Sequence, residues 1–345
     1  MSDIAWPDDK RLQQFETWLE PLTQRHQLLP SSLRPASVDA SFRRYFRIDA
    51  GSGESYIIMD APPDLEDVRP FVQVAGLIAE AGLHSPAVLA QDLEHGFLLL
   101  ADLGSRLYLQ ELQQASPEQA DRLMRDAIAA LVQWQTRLDG SALPEFDEAL
   151  LMRELALFPD WCVQREFGVS WSVAQREQWD KICRLLVDSA LSQPQVAVHR
   201  DYMPRNLMVS DPNPGLLDFQ DAVRGPINYD MACLLRDAFI SWDEEQELDW
   251  AVRYWEQARK AGLPVNEDFG EFWRALEWMG LQRHLKVMGI FCRLKHRDGK
   301  PRYSTDLPRF FAYATKVALR YRPLKPLLAL IEPLSGMALE SGYTF

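Results

Sequence analysis

Nowhere does this chain of 345 residues hold an unbroken apolar run of the roughly 18 residues that a helix needs to cross a bilayer, so a role inside a membrane is not expected. The stretch from Met1 to Arg11 is polar and acidic, unlike a secretion signal, and a cytoplasmic location is expected. Cysteine is scarce. Cys162, Cys183, Cys233 and Cys292 lie far apart inside apolar segments, which reads as buried thiols and not as a disulfide or metal framework. Basic side chains are in deficit, 37 against 50 acidic, and the net charge of −13 opposes binding to a polyanion. Nucleic acid is therefore not an expected partner. Repeats and low-complexity tracts are also absent.

What is present is a 47% hydrophobic chain, long enough to bury a core in two domains. Leu12, Phe15, Trp18, Leu19 and Leu22 recur at helical spacing and predict an opening amphipathic helix over 8–27. Residues 41–49 then alternate, with Phe42, Arg44, Phe46 and Ile48 on one strand face and Arg43, Tyr45 and Arg47 on the other. The turn Gly51-Ser52-Gly53 leads to a second strand at 56–60. A helix over 65–81 and short strands at 87–91 and 97–102 complete a small sheet region. Beyond Gly104 the texture is helical. Ser116-Pro117-Glu118-Gln119 is a capping box opening a helix to about 138, and periodic segments follow at 148–167, 172–191, 230–240, 245–261, 269–293 and 307–330. Only 196–218 interrupts them, with two apolar runs that read as a hairpin around Asp211-Pro212-Asn213-Pro214-Gly215. The expected class is α+β, bilobal, with an antiparallel-sheet N-lobe over 1–103 and a larger, mostly helical C-lobe over 104–345.

The chemistry concentrates in Val198-His199-Arg200-Asp201-Tyr202-Met203-Pro204-Arg205-Asn206, followed by Leu216-Leu217-Asp218-Phe219. Phosphoryl transfer from a nucleotide needs a carboxylate to orient and deprotonate the acceptor hydroxyl, and hard oxygen ligands for a magnesium ion that bridges phosphates. Asp201 suits the first role. Asn206 and Asp218 suit the second. His199 reads as a buried brace for the loop.

The run His199-x-Asp201-x-x-Pro204-x-Asn206, with Asp218-Phe219 beyond it, resembles the signature of aminoglycoside phosphotransferase and choline kinase-like enzymes, and more distantly that of protein kinases. The resemblance implies a protein-kinase-like fold, with ATP and Mg2+ as cofactors. It also implies that Asp230 braces the catalytic loop, that the backbone of Leu100, Ala101, Asp102 and Leu103 meets the adenine, and that Ser41, Phe42, Arg43 and Arg44 belong to a turn covering the phosphates. That turn has no glycine. Gln220 stands where protein kinases carry glycine, and Met59 lies nearest the position of the third-strand lysine that usually holds the phosphates. Arg44 is the expected substitute, with Arg43 and Arg47 next.

Ala40-Ser41-Phe42-Arg43-Arg44-Tyr45-Phe46-Arg47, Met59-Asp60-Ala61-Pro62-Pro63 and Leu281-Gln282-Arg283-His284-Leu285-Lys286 further resemble the bacterial anomeric N-acetylmuramate/N-acetylglucosamine kinase family over nearly the whole chain. That resemblance implies a small-molecule amino-sugar acceptor and a place in peptidoglycan recycling toward UDP-N-acetylmuramate. Arg205, Asp221, Arg224, Arg283 and His284 are the expected acceptor residues, with Arg224 favoured as a cation for an acidic sugar. An aminoglycoside or choline kinase and a nucleotide-binding pseudokinase are the alternatives.

Overall fold

The computed structural model describes residues 4–37 and 42–342. The chain divides into two compact units, residues 1–108 with 205–221, and residues 109–204 with 222–345. The segment carrying Asn206 and Asp218 thus belongs with the first unit, whereas the sequence boundary after 103 left it with the second. Among the described residues no helix is long and apolar enough to cross a membrane.

The first unit is built on five antiparallel strands: β1 (Arg34–Ser37), β2 (Arg44–Asp49), β3 (Ser55–Asp60), β4 (Val88–Asp92) and β5 (Phe97–Ala101), in the order β1-β2-β3-β5-β4. Phe46 pairs with Ile58, and Ile58 with Leu99, so strand alternation gathers their side chains on one face. Helix α1 (Asp9–His26) covers that face with Phe15, Leu19 and Leu22. The second helix of this unit, α2, spans Arg69–Glu80 and starts four residues later than its periodicity suggested. Strand β1 escaped the sequence reading because Pro35 breaks its pattern. At a sheet edge a missing N–H is tolerated.

Asp60, at the end of β3, fixes α1 to the sheet. Its carboxylate is fully buried and accepts from Arg11 Nε at 3.1 Å and Nη2 at 2.5 Å, and from Arg44 Nε at 2.9 Å. Arg11 also lies 3.9 Å over the Phe97 ring.

Helix α3 (Tyr108–Gln114), which the sequence reading passed over, stands where the first unit gives way to the second. The second unit contains α4 (Pro117–Arg137), α5 (Glu148–Leu157), α6 (Val173–Leu191), and a two-stranded ribbon whose strands are β6 (Gln195–Val198) and β9 (Val223–Pro226). Between those strands in sequence, β7 (Leu207–Met208) and β8 (Gly215–Leu216) form a short hairpin within the first unit. The hairpin around 211–215 is thus present. The apolar run before the Asp201 loop, however, pairs with 223–226 and not with the run at 215–217.

Helices α7 (Tyr229–Leu235), α8 (Glu244–Lys260), α9 (Phe269–Asp298), α10 (Leu307–Arg320) and α11 (Leu328–Gly342) follow. Three expected helices are cut short. A π-helical segment replaces α-helix over Phe158–Glu166, opening with Pro159. The Asp237 carboxylate turns back to accept from the N–H of Ala238, ending α7 before 240. Pro323 and Pro326 divide the expected 307–330 helix with a 3-10 segment. Helix α9 is the longest and is buried without a break from Met279 to Gly289, charged residues included. Gly289 has a direct reason. A Cβ there would collide with the backbone of Leu157 at the end of α5.

Asp60→Ala would strand two arginines against a buried site, and should cost about 3–5 kcal/mol of stability in urea unfolding. A loss below about 1 kcal/mol would mean that Arg11 and Arg44 are rehydrated and that the pairs do not anchor α1.

Candidate active site

In the second unit, β6 delivers the chain into the loop His199-Arg200-Asp201. Asp230, in the first turn of α7, is fully buried and accepts the backbone N–H of His199 at 2.7 Å and of Arg200 at 3.0 Å. His199 is buried between the Trp134 and Tyr202 rings and accepts the Asp201 N–H on Nδ1 at 3.3 Å. This fixes the tautomer: Nδ1 is the unprotonated nitrogen. Trp134 itself donates to the Ala197 carbonyl at 3.0 Å, tying α4 to β6. Arg200 has φ 74°, a left-handed conformation unusual for a side chain with a Cβ, and its guanidinium meets Glu154 at 2.6 Å. Glu154 also takes Lys286 at 2.8 Å and Gln282 at 3.2 Å, while Lys286 donates to the Tyr229 hydroxyl at 3.0 Å.

Burial pushes the Asp230 carboxyl up to about 7, against the two backbone N–H groups that favour its charge. Burial drives His284 down to about 3, so its ring is neutral, stacked 4.8 Å from Tyr313 with Nε2 donating to the Arg236 carbonyl at 3.2 Å.

In the first unit, Asn206 closes a 3-10 turn and donates from Nδ2 to Asp218 Oδ2 at 3.3 Å. Asp218 has φ 60°, a second left-handed residue other than glycine, and accepts from Gln220 at 2.8 Å. Arg43 lies 3.1 Å from Glu66 and 4.0 Å from Asp218. Among the described residues no three His, Cys, Asp or Glu side chains converge as a metal cluster. A carboxylate beside an amide nevertheless fits a hard cation that keeps water and phosphate oxygens as its other ligands, which is the donor chemistry of magnesium and not of zinc.

The remaining expected residues have different surroundings. Ser41 lies outside the described residues, and Phe42 is 63% exposed. Arg44 is drawn to Asp60, the Ala5 carbonyl and the Trp6 ring. At the end of β5, Ala101 donates its N–H to the Ala87 carbonyl, and Leu100 is buried. The Asp102 side chain accepts from Arg47, Ser55 and the Gly104 N–H, and Leu103 makes no backbone hydrogen bond among the described residues. Arg205 lies in the turn before Asn206, and Asp221 is exposed and acts on Arg43 through space. Arg224, on β9, pairs with Glu145 at 3.2 Å with its side chain 41% exposed. Arg283 and His284 are buried in α9. The sequence reading did not anticipate Glu66, Glu154, Tyr229 and Lys286. Lys286 alone carried a local signal, as a charge between Leu285 and Val287.

Residues 32–272 match the profile described as the phosphotransferase enzyme family. The chain belongs to that family. As a phosphotransferase it resembles curated relatives along nearly its full length. One from Pseudomonas putida is 52% identical over 96% of this chain and 98% of its own length, and one from Pseudomonas aeruginosa is 54% identical over 91% and 94%. A third, from Neisseria meningitidis, is 48% identical over 90% and 93%. All three are named N-acetylmuramate/N-acetylglucosamine kinase. Solved structures share the fold of this phosphotransferase at low identity. The GDP complex of aminoglycoside 2′-phosphotransferase-IIIa superposes with TM-score 0.60 at 12% identity over 89% of this chain and 99% of its own, and a Plasmodium vivax ethanolamine kinase with 0.59 at 11% over 96% and 92%. The antiparallel sheet followed by a mostly helical remainder is thus the protein-kinase-like arrangement.

The raised Asp230 carboxyl gives a pH signature with a definite sign. Between 3.8 and about 7 the unfolded chain has lost this proton while the folded chain keeps it, so this contribution to stability is lost as pH rises through that window and is flat above it. Urea midpoints on either side of the window should show the fall, and Asp230→Asn should flatten it. An unchanged slope in the variant would assign the effect to other groups.

Proposed function

We propose that this phosphotransferase uses ATP and magnesium to phosphorylate the anomeric hydroxyl of N-acetylmuramate and N-acetylglucosamine, and that it works in the cytoplasm in peptidoglycan recycling toward UDP-N-acetylmuramate. The observation that carries this reading is the full-length similarity, at 48–54% identity, to three relatives of that name. Asp201 takes the proton of the acceptor hydroxyl, whose oxygen then bonds to the γ-phosphorus as the bond to the β-bridging oxygen breaks. Asn206 and Asp218 would hold the magnesium, which would supply positive charge against the phosphates. Of Leu100 to Leu103, the stretch read as meeting the base, Ala101 has given its N–H to the Ala87 carbonyl, while Leu103 makes no backbone hydrogen bond among the described residues and offers its groups to the base.

The cation that replaces the absent lysine is, in this reading, Arg43 and not Arg44. Burial disfavours its charge, but Tyr45, Glu66, Asp218 and Asp221 together raise its pKa. Glu66 then holds Arg43 as a helix glutamate holds the lysine in related kinases.

ADP release measured against N-acetylated sugars, aminoglycosides and choline tests the function. Turnover should be confined to the two amino sugars, and Asp201→Asn should lower it by at least about 10²-fold with nucleotide binding retained. Turnover of an aminoglycoside or choline alone, or within about threefold of the parent for Asp201→Asn, would sink the substrate or the base respectively.

For the nucleotide, Arg43→Ala should raise the ATP KM about tenfold or more, the loss of a charge-assisted contact of about 1.5–3 kcal/mol. Arg44→Ala should lower stability instead. The reverse pattern would return the phosphate role to Arg44.

A further inference from the structure

Helix α9 carries a buried cation that forms no ion pair among the described residues. Arg283 is 2% exposed, and its one hydrogen bond among the described residues runs from Nη1 to the Arg236 carbonyl at 3.3 Å. A guanidinium offers a planar fork of N–H donors, and burying it on one long bond to a neutral oxygen is costly unless something completes it. Nearby the protein answers the same problem with acids. Arg236 lies on Glu247 and Glu277, and Lys286 on Glu154. Arg283 forms no such ion pair among the described residues.

Its charge is nonetheless maintained. Burial opposes it, but Cys233, Tyr229, Asp237 and Asp201 together raise its pKa. Asp201 is the loop carboxylate assigned to the acceptor hydroxyl, so the incomplete cation lies within electrostatic reach of the acceptor's reacting end.

We propose that Arg283 binds an anionic substituent of the acceptor, the lactyl carboxylate that N-acetylmuramate has and N-acetylglucosamine lacks. This rests on the amino-sugar kinase reading above. A carboxylate matches the guanidinium fork with paired charge-assisted bonds. Without a cation, Asp201 would repel that carboxylate in surroundings that screen less than water. Arg224, which the sequence favoured for this task, is engaged in a half-exposed pair with Glu145, where solvent weakens any further charge contact.

The test measures ADP release with ATP and magnesium on three acceptors: N-acetylmuramate, its neutral lactyl amide, and N-acetylglucosamine. In the unaltered protein kcat/KM for the acid should exceed that for the amide by at least about tenfold. Equal values overturn the proposal without any variant. Arg283→Gln should lower the ratio of kcat/KM for N-acetylmuramate to that for N-acetylglucosamine by at least about tenfold and remove the preference for acid over amide. Arg283→Lys should restore part of both. An unchanged ratio, with both sugars losing equally or neither losing, overturns the proposal and leaves Arg283 a part of the fold. An unaltered protein that phosphorylates neither sugar would overturn the functional reading itself, whereas good turnover of both with no preference for the acid overturns this inference alone.

Discussion

Arg200 sits at φ 74°, where a residue with a Cβ costs of the order of 1–3 kcal/mol, and it is held there at both ends. Its backbone N–H goes to Asp230, its carbonyl accepts from Cys233, and its guanidinium goes to Glu154. Because Asp201 is the next residue, this one backbone setting decides where the carboxylate projects. The restraints come from separate helices of the unit: Asp230 and Cys233 from α7, Glu154 from α5, and through Glu154 the Lys286 ammonium of α9. The helical unit can therefore be understood as the frame that keeps Arg200 left-handed.

That frame is made of buried charge, which is expensive unless every member is matched. Glu154 is ionised in the interior because Lys286 and Arg200 overcome the burial that would protonate it. Arg236 is matched by Glu247 and Glu277, and Glu277 in turn takes Arg320 and the Tyr321 hydroxyl. These groups link the end of α7 with α8, α9 and α10 by charge. The gain is geometric more than energetic, since a well-packed apolar set could stabilise the helices equally.

The candidate site residues were legible because they lie within a short stretch whose order suits phosphoryl transfer: Asp201, Asn206, then Asp218. Their supports were not. Glu154, Arg200 and Lys286 are separated by dozens of residues, and no local periodicity says that an acid on one helix will face a base on another. The left-handed setting of Asp218 is equally silent, because aspartate is common in ordinary turns. Helix ends were half legible. The capping box at Ser116 opens α4 where its residues require, yet the break after Arg320 follows from Pro323 and Pro326, whose effect the apolar periodicity of 307–330 obscured.

The choice between Arg43 and Arg44 shows why neighbouring residues of one type can have different work. Adjacent residues on an extended segment point to opposite faces, so a single step separates two environments. Arg44 shares its face with Phe46 and Ile48, under α1, and its partner across the strand pair is Asp60. A buried carboxylate at that register attracts the guanidinium more strongly than anything in solvent could, and Arg11 from α1 completes the same oxygen set. Arg43, one residue before the strand, faces the other way and meets Glu66 and Asp218. With Asp60 in place, the acid that locks the first helix also sets which of two neighbouring arginines joins the α1 contact and which meets Glu66 and Asp218.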